Sequence, residues 1–397
     1  MKFFLKTAVI KSARSLLKAG YLLPVNRKKV LFSAYEGRQY GCNPKYIFEA
    51  LYEKRPDLDI VWVMNNPEML PKKYRGKVRT VKFLSPSHIR ELLTSRIIVS
   101  NLGIEPFLPK RKGQTFINTW HGGGAYKRVS WDMDIFPDDQ KKYMAAMRDL
   151  RAASTDIFLA SCQRFAEVSS TDFGVERKKF IPSGMPRNDG LVCRRNTVSA
   201  AELRKTICAK YDINPDSLLV LYAPTFRGTY REQTKLDLQI CCPQVADVFR
   251  EKFSRDVHFL FRSHVGKDMH AIDFKNMNVG ISDFTSYPDM QDLLAIADVL
   301  ITDYSSSIWD FSLSGKPAFL FMPDLEFYMK NYGFYTPLSD WPYPHAVNID
   351  DFCRLITDYN EEANANRISR HLSLLGSYET GKARDKVIEI ISSLTDA

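Results

Sequence analysis

Apolar and polar positions fall into two repeating series along the chain. Lys29-Val-Leu-Phe-Ser-Ala predicts a strand, with a helix to follow over 45–54, and Asp59-Ile-Val-Trp-Val-Met predicts a second strand. Arg79-Thr-Val-Lys-Phe, a helical stretch over 87–95, Arg96-Ile-Ile-Val-Ser and Gln114-Thr-Phe-Ile-Asn-Thr-Trp continue the rhythm. Strand, helix, strand at this spacing argues for a parallel sheet with crossover helices. After Asp189 the texture changes. Residues 191–206 are polar and basic, and Tyr211-Asp-Ile-Asn-Pro-Asp-Ser is rich in turn formers, as a linker would be. A second series then runs through Ser217-Leu-Leu-Val-Leu-Tyr-Ala-Pro, Val257-His-Phe-Leu-Phe-Arg, a helix near 290–297, Val299-Leu-Ile-Thr-Asp and Lys316-Pro-Ala-Phe-Leu-Phe. The expected class is α/β, with two doubly wound Rossmann-type domains over 29–190 and 191–397. That division leaves room for the last helix to pack back on the N-terminal domain. In such sheets ligands sit at the carboxyl ends of the strands, and a central cleft between the halves is the natural site.

Residues 1–28 stand apart. Phe3, Phe4, Val9, Ile10, Leu16, Leu17, Leu22 and Leu23 recur at near-helical spacing, and Lys6, Lys11, Arg14 and Lys18 interrupt them. No continuous apolar core for a signal peptide exists, and no run approaches the roughly 20 residues that span a bilayer. The pattern predicts an N-terminal amphipathic helix docking on an anionic membrane surface.

Composition narrows the classes. The 397 residues are 45% hydrophobic and 26% charged, which suits a folded chain of two domains rather than a disordered one. Seven scattered cysteines without a C-x-x-C pair suit a reducing cytoplasm and not a disulfide or zinc scaffold. The net charge of +10 suits a partner carrying phosphates, whether an anionic membrane, a nucleic acid or a phosphorylated substrate. The basic residues of the first 30 positions precede the folded body, and no basic–aromatic interleaving accompanies them. Nucleic acid is therefore not the expected partner.

The chemistry-bearing residues cluster at predicted strand ends. Asn118-Thr-Trp-His-Gly-Gly-Gly-Ala-Tyr-Lys places His121 before three glycines that let backbone approach a ligand closely. The segment is neither a Walker A loop nor a dinucleotide fingerprint. His121 has the one side chain there suited to take a proton from a hydroxyl near neutral pH, although a turn histidine satisfied by backbone would read the same way. Arg262 and His264 end a second strand, a bidentate donor beside an imidazole, as phosphate oxygens require. Three serines in Thr302-Asp-Tyr-Ser-Ser-Ser end a third and run into a helical pattern. That arrangement suits either an anion site or simple capping.

Taken together, Trp120-His-Gly, Gly184-Met-Pro-Arg-Asn-Asp, Tyr222-Ala-Pro-Thr-Phe-Arg, Arg262-Ser-His and Thr302-Asp-Tyr-Ser-Ser resemble the CDP-glycerol glycerophosphotransferase family of teichoic-acid and capsule biosynthesis. Lys316-Pro-Ala-Phe-Leu-Phe, Asp324-Leu-Glu-Phe-Tyr and Gly333-Phe-Tyr complete the series, so the resemblance runs over roughly residues 30–375. It implies a GT-B-like fold that binds CDP-glycerol between the halves, and a peripheral enzyme on the cytoplasmic face of the bacterial membrane. Carried over by motif, His121 is the implied catalytic base, with His264 as the second catalytic histidine. Gly122, Gly123, Gly124, Ala125, Arg187, Pro224, Thr225 and Asp310 fall on donor-contact positions. Arg262, Ser263, His264, Ser305 and Ser306 fall on the motif that holds the donor phosphates. Asp303 is expected to orient the serine turn rather than react.

The implied reaction moves glycerol phosphate to a hydroxyl of a lipid-linked, undecaprenyl-diphosphate glycan and releases CMP, and the compact length suits a priming enzyme. CDP-ribitol as donor and capsule polymerisation are the near alternatives, and a GT-B nucleotide-sugar glycosyltransferase is a more distant one. Where the family often has proline after the second histidine, tryptophan before the arginine of the Thr-Phe-Arg segment, and Thr-Pro in the first glycine turn, this chain has Val265, Phe226 and Gly123-Gly124. These departures bear on the identity of the polyol. No acidic cluster is spaced for a two-metal site, so no obligatory metal or cofactor is expected, and Mg²⁺ loosely associated with the diphosphate is compatible with this.

Overall fold

The run from Val30 to Phe32 is almost completely buried because its strand lies inside a parallel sheet covered on both faces. The computed structural model describes residues 2–128, 137–193, 197–225, 228–229, 232–233, 239–263 and 277–396. It divides into two units, residues 1–189 with 375–397, and residues 190–374.

In the first unit the strands are β1 (Asn26–Ser33), β2 (Asp59–Val63), β3 (Arg79–Val81), β4 (Ser95–Ser100), β5 (Thr115–Asn118), β6 (Ile157–Leu159) and β7 (Phe180–Ile181). They pair in parallel in the order β3-β2-β1-β4-β5-β6-β7. Connecting helices are α1 (Lys2–Leu17), α2 (Cys42–Lys54), α3 (Pro86–Thr94), α4 (Asp138–Ser154) and α5 (Gln163–Phe173). Alternate residues of each strand face opposite layers. Val30, Phe32, Trp62, Ile97 and Val99 pack with Ile47, Phe48 and Leu51 of α2. Leu31, Val61, Val63, Ile98 and Phe116 pack with Leu92 and Leu93 of α3.

The second unit holds α6 (Asp189–Val192), which starts at the division, α7 (Thr197–Lys210), β8 (Leu218–Tyr222), the antiparallel pair β9 (Gly228–Thr229) and β10 (Glu232–Gln233), α8 (Pro243–Phe253) and β11 (Val257–Phe261). It continues with β12 (Gly280–Asp283), α9 (Met290–Ile296), β13 (Val299–Thr302), α10 (Ser307–Ser312), β14 (Ala318–Phe321), α11 (Leu325–Asn331), β15 (His345–Ala346), α12 (Ile349–Thr357) and α13 (Glu361–Leu374). Its sheet is parallel in the order β12-β11-β8-β13-β14-β15. The final helix, α14 (Ala383–Asp396), belongs to the first unit and buries Val387, Ile388 and Ile391 beside β1 and α2. The segment expected to be a linker is largely α7, whose Ile207 and Cys208 are buried.

Both sheets reverse their strand order once, between β1 and β4 and between β8 and β13. Loops leaving the carboxyl ends of these strands diverge, which opens a crevice where ligands bind in doubly wound folds. Every described site residue expected from the sequence, except Arg187 and Asp310, sits in a loop after one of these strands or an immediate neighbour.

The N-terminal helix has two distinct faces. Phe3, Ile10 and Leu17 are partly buried, with the Phe3 ring 5.4 Å from Tyr143 of α4 and Leu17 against the β4 layer. Arg14 also turns inward and donates to the carbonyls of Pro106 and Leu108 at 2.9 and 2.6 Å. Phe4, Leu5, Val9 and Leu16 remain exposed, Leu16 to 77%. On a 3.6-residue helix Val9, Leu16 and Leu5 share one side, whereas Phe4, Lys11 and Lys18 group together roughly 120° or more round from Leu16. No helix among the described residues is long and apolar enough to cross a membrane.

Candidate active site

In the first unit the site is built around the turn that follows β5. Asn118 ends the strand and its Oδ1 accepts the Trp120 N–H at 3.0 Å, which bends the chain at once. Trp120 takes a left-handed conformation, φ 51°, rare for a bulky residue. Its indole lies 4.1 Å, centroid to centroid, from the His121 ring, and Tyr35 in the loop after β1 lies 5.7 Å from that ring.

His121 Nδ1 is 3.0 Å from the main-chain oxygen of Asn101, in the loop after β4. A carbonyl only accepts, so Nδ1 carries the hydrogen and the lone pair of the neutral imidazole is on Nε2. The carbonyl thereby sets both tautomer and ring orientation, as a general base requires. Asn101 is itself fully buried, with its side-chain oxygen accepting the Tyr35 N–H at 2.8 Å.

The glycine turn continues into the interior. Gly124 has φ 67°, a conformation that favours glycine, and its N–H donates to Ser161 Oγ at 3.1 Å. Gly122 is half-buried, while Gly123, Gly124 and Ala125 are buried. Arg187 comes from the Met-Pro-Arg-Asn-Asp turn and is 6% exposed. Its Nη1 donates to the His121 carbonyl at 2.6 Å and lies 3.2 Å from Cys42 Sγ. The rest of that motif is structural. Asp189 accepts the N–H groups of Ala383 and Arg384 at 2.9 Å each, capping α14, and Asn188 reaches Glu379. His121, the glycine turn and Arg187 are thus brought together in one unit.

The second unit assembles a different set. Thr225, just past Pro224 in the loop after β8, donates through its N–H to both oxygens of Asp303 at 2.9 and 3.0 Å, and through its hydroxyl to the same carboxylate. Asp303 also accepts the Tyr304 N–H and is 2% exposed, so it ties the loop after β8 to the start of the turn after β13. Ser305 Oγ receives the Ser307 N–H at 3.2 Å and its hydroxyl at 3.0 Å. Ser306 occupies the N-cap position of α10 without a side-chain cap bond, and Asp310 is buried in that helix's first turn. Arg262, after β11, commits Nη1 to the Tyr287 carbonyl at 2.6 Å, and the Ser263 N–H meets Thr285 Oγ1 at 3.2 Å. His264 lies outside the described residues. Among the described residues, no group of three or more His, Cys, Asp or Glu is placed to hold a metal ion.

Sequence reasoning did not single out Asn43, Asn101, Ser161 or Tyr35. The one available signal was position, since Asn101 follows a predicted strand and Asn43 precedes Pro44 at a helix start.

Residues 15–393 match the family model described as CDP-Glycerol:Poly(glycerophosphate) glycerophosphotransferase. The chain belongs to this family. Relatives within it include the teichoic acid poly(glycerol phosphate) polymerase of Bacillus subtilis, 30% identical over 82% of this chain and 43% of its own length. The chain therefore spans under half of that relative. The teichoic acid ribitol-phosphate primase of Bacillus spizizenii is 29% identical over 99% of this chain and 98% of its own. A solved structure of the wall teichoic acid polymerase TagF, 24% identical, superposes with a TM-score of 0.81 over 100% of this chain and 97% of that one. That likeness establishes the two-domain, GT-B-like fold of the family.

Proposed function

We propose that this chain transfers glycerol phosphate from CDP-glycerol to a hydroxyl of a lipid-linked glycan acceptor, as a priming-type transferase of wall teichoic acid or capsule synthesis. The observation that carries the reading is the Asn101 carbonyl holding His121 Nδ1, which leaves Nε2 as the basic atom. Family membership supports the donor class, and TagF has been solved with CDPG.

In this reading the acceptor oxygen attacks the phosphorus that bears glycerol. A new P–O bond forms, the P–O bond to the bridging oxygen breaks, and that oxygen leaves with CMP. Nε2 of His121 takes the hydroxyl proton, a contribution of roughly 10²–10⁴-fold. Arg262, His264, Ser305 and Ser306 neutralise the diphosphate as charge moves to CMP, and fixed donors of this kind lower the barrier more than the proton transfer does. Thr225 and Asp310 complete the donor contacts. No metal is required by this scheme.

Purified protein incubated with CDP-glycerol and a synthetic lipid-linked acceptor should release CMP and lengthen the acceptor by one glycerol phosphate. Release of CMP with no phosphate in the new linkage would refute the reading. The near end-to-end match to a ribitol-phosphate primase favours CDP-ribitol as the second candidate donor, and competition between the two donors decides it.

The exposed Phe4, Leu5, Val9 and Leu16, with Lys11 and Lys18 beside Phe4, support docking on an anionic leaflet at the cytoplasmic membrane face. Each lysine near such a surface is worth about 1 kcal/mol at moderate salt. Phosphatidylglycerol vesicles should pull the protein down, and Leu16→Ser with Val9→Ser should abolish it. Equal sedimentation of that variant would refute docking by this face.

A further inference from the structure

The geometry points to Asn43, a residue outside the motifs, as a positioning residue for His121; this rests on the reading of His121 as the base. Asn43 lies in the first turn of α2 and is completely buried. Its amide nitrogen faces the turn that carries the histidine, with Nδ2 3.0 Å from the Thr119 carbonyl and 3.1 Å from the Trp120 carbonyl, and Met185 Sδ is a weaker third acceptor at 3.5 Å. Its Oδ1 accepts the Arg187 N–H at 3.1 Å. Arg187 in turn donates from Nη1 to the carbonyl of His121 itself. One side chain therefore grips the two carbonyls before the histidine and the backbone of the residue that grips the carbonyl after it.

That grip addresses a specific difficulty. Trp120 is held at φ 51°, and a bulky residue stays in that region only when its surroundings over-determine it. Relaxing Trp120 toward the ordinary region would rotate the peptide that leads into His121. Asn101 fixes the ring through its carbonyl, and the neighbouring Ser100 carbonyl accepts the Thr119 N–H at 2.8 Å, one residue before Trp120. Asn43 holds the backbone path at two carbonyls, beside Asn118 at the Trp120 N–H and Arg187 at the His121 carbonyl. A shift of about 1 Å in a catalytic group costs on the order of a hundredfold in rate.

The test compares Asn43→Ala and Asn43→Ser with the wild-type chain and with His121→Ala, by steady-state CMP release and thermal melting. Asn43→Ala should lower kcat about a hundredfold, with the KM for CDP-glycerol within about threefold. Asn43→Ser, whose hydroxyl offers one of the two lost donors, should recover about tenfold of that loss. A KM that rises tenfold at unchanged kcat would overturn the assignment, as would equal turnover of the alanine and serine variants, or an alanine variant within threefold of wild type. If the alanine variant lacks the wild-type melting transition, the serine variant carries the test alone. A tenfold lower kcat at unchanged KM then supports the assignment, and an unchanged kcat overturns it. His121→Ala separates the two failures. Wild-type turnover there removes the base itself, whereas lost turnover there with full activity in the Asn43 variants removes only the positioning role.

Discussion

In the proposed reaction the two units would meet different chemical demands, and their scaffolds differ in kind. In the first, one imidazole is fixed by buried polar contacts from α2, the loop after β4 and the Arg187 turn, with Asn43 and Asn101 completely inaccessible. In the second, a single buried carboxylate, Asp303, orders two loops, and these display hydroxyls and backbone groups rather than one reactive atom. A base acts through one lone pair, so its tautomer and angle must be set individually. An anion is held by several donors at once, none of which must be aimed as closely. The expectation is concentrated sensitivity in the first unit and distributed sensitivity in the second.

The largest effect should come from the concentrated side. His121→Ala should lower kcat by about 10²–10⁴-fold with little change in the KM for CDP-glycerol, measured by CMP release. A loss below tenfold would break the comparison, because the first unit would then hold no indispensable proton acceptor. Next in size is the one point where the second unit is concentrated. Asp303→Asn retains the shape but replaces charge-assisted contacts to Thr225 and Tyr304 with neutral ones and turns an amide toward one of them. About a hundredfold loss in kcat/KM is expected, carried mainly by KM. A loss seated in kcat alone would place Asp303 in the reaction instead of beneath the donor.

Much of this arrangement was legible in the sequence, for a physical reason. Strands buried on both faces must be apolar at nearly every position, so β8 and β13 show as unbroken runs, and β1 shows as Val30-Leu31-Phe32 behind a polar, partly exposed start. The His121 turn shows because three adjacent glycines are conspicuous. What holds the turn does not show. Asn43 looks like an ordinary residue at a helix start, and its partners Thr119, Trp120 and Arg187 are 76, 77 and 144 positions away. The Pro-Arg-Asn-Asp motif stands out for its arginine, while its aspartate caps a helix nearly two hundred residues later. α7 was hidden by its charges, since its face toward the unit is narrow. In α1 the near-helical recurrence of apolar residues merged two faces, the inward one of Phe3, Ile10 and Leu17 and the outward one of Phe4, Val9 and Leu16.

The smallest effect concerns stability, where the units should behave alike. Among the described residues each contains one histidine sealed from solvent, His88 in the first and His371 in the second, and burial pushes both down to about 4. Their contacts differ. His88 Nδ1 accepts the Leu84 N–H at 3.0 Å, so that nitrogen stays unprotonated, whereas His371 Nδ1 donates to the Asp340 carbonyl, which partly opposes the burial. Below about pH 6.5 the unfolded chain protonates both rings while the folded units keep them neutral, so the unfolded state gains protons and is favoured. Stability is therefore full above pH 6.5 and is lost as pH falls toward 4. By pH 5 each ring should account for about 2 kcal/mol, a thirtyfold change in the folding equilibrium. Urea unfolding at pH 7.5 and pH 5 measures it, and His88→Gln or His371→Gln should each shrink the difference between the two pH values by about that amount. If only the His88 substitution does so, the Asp340 contact offsets burial in the second unit, and the units differ in acid response as they do in site design.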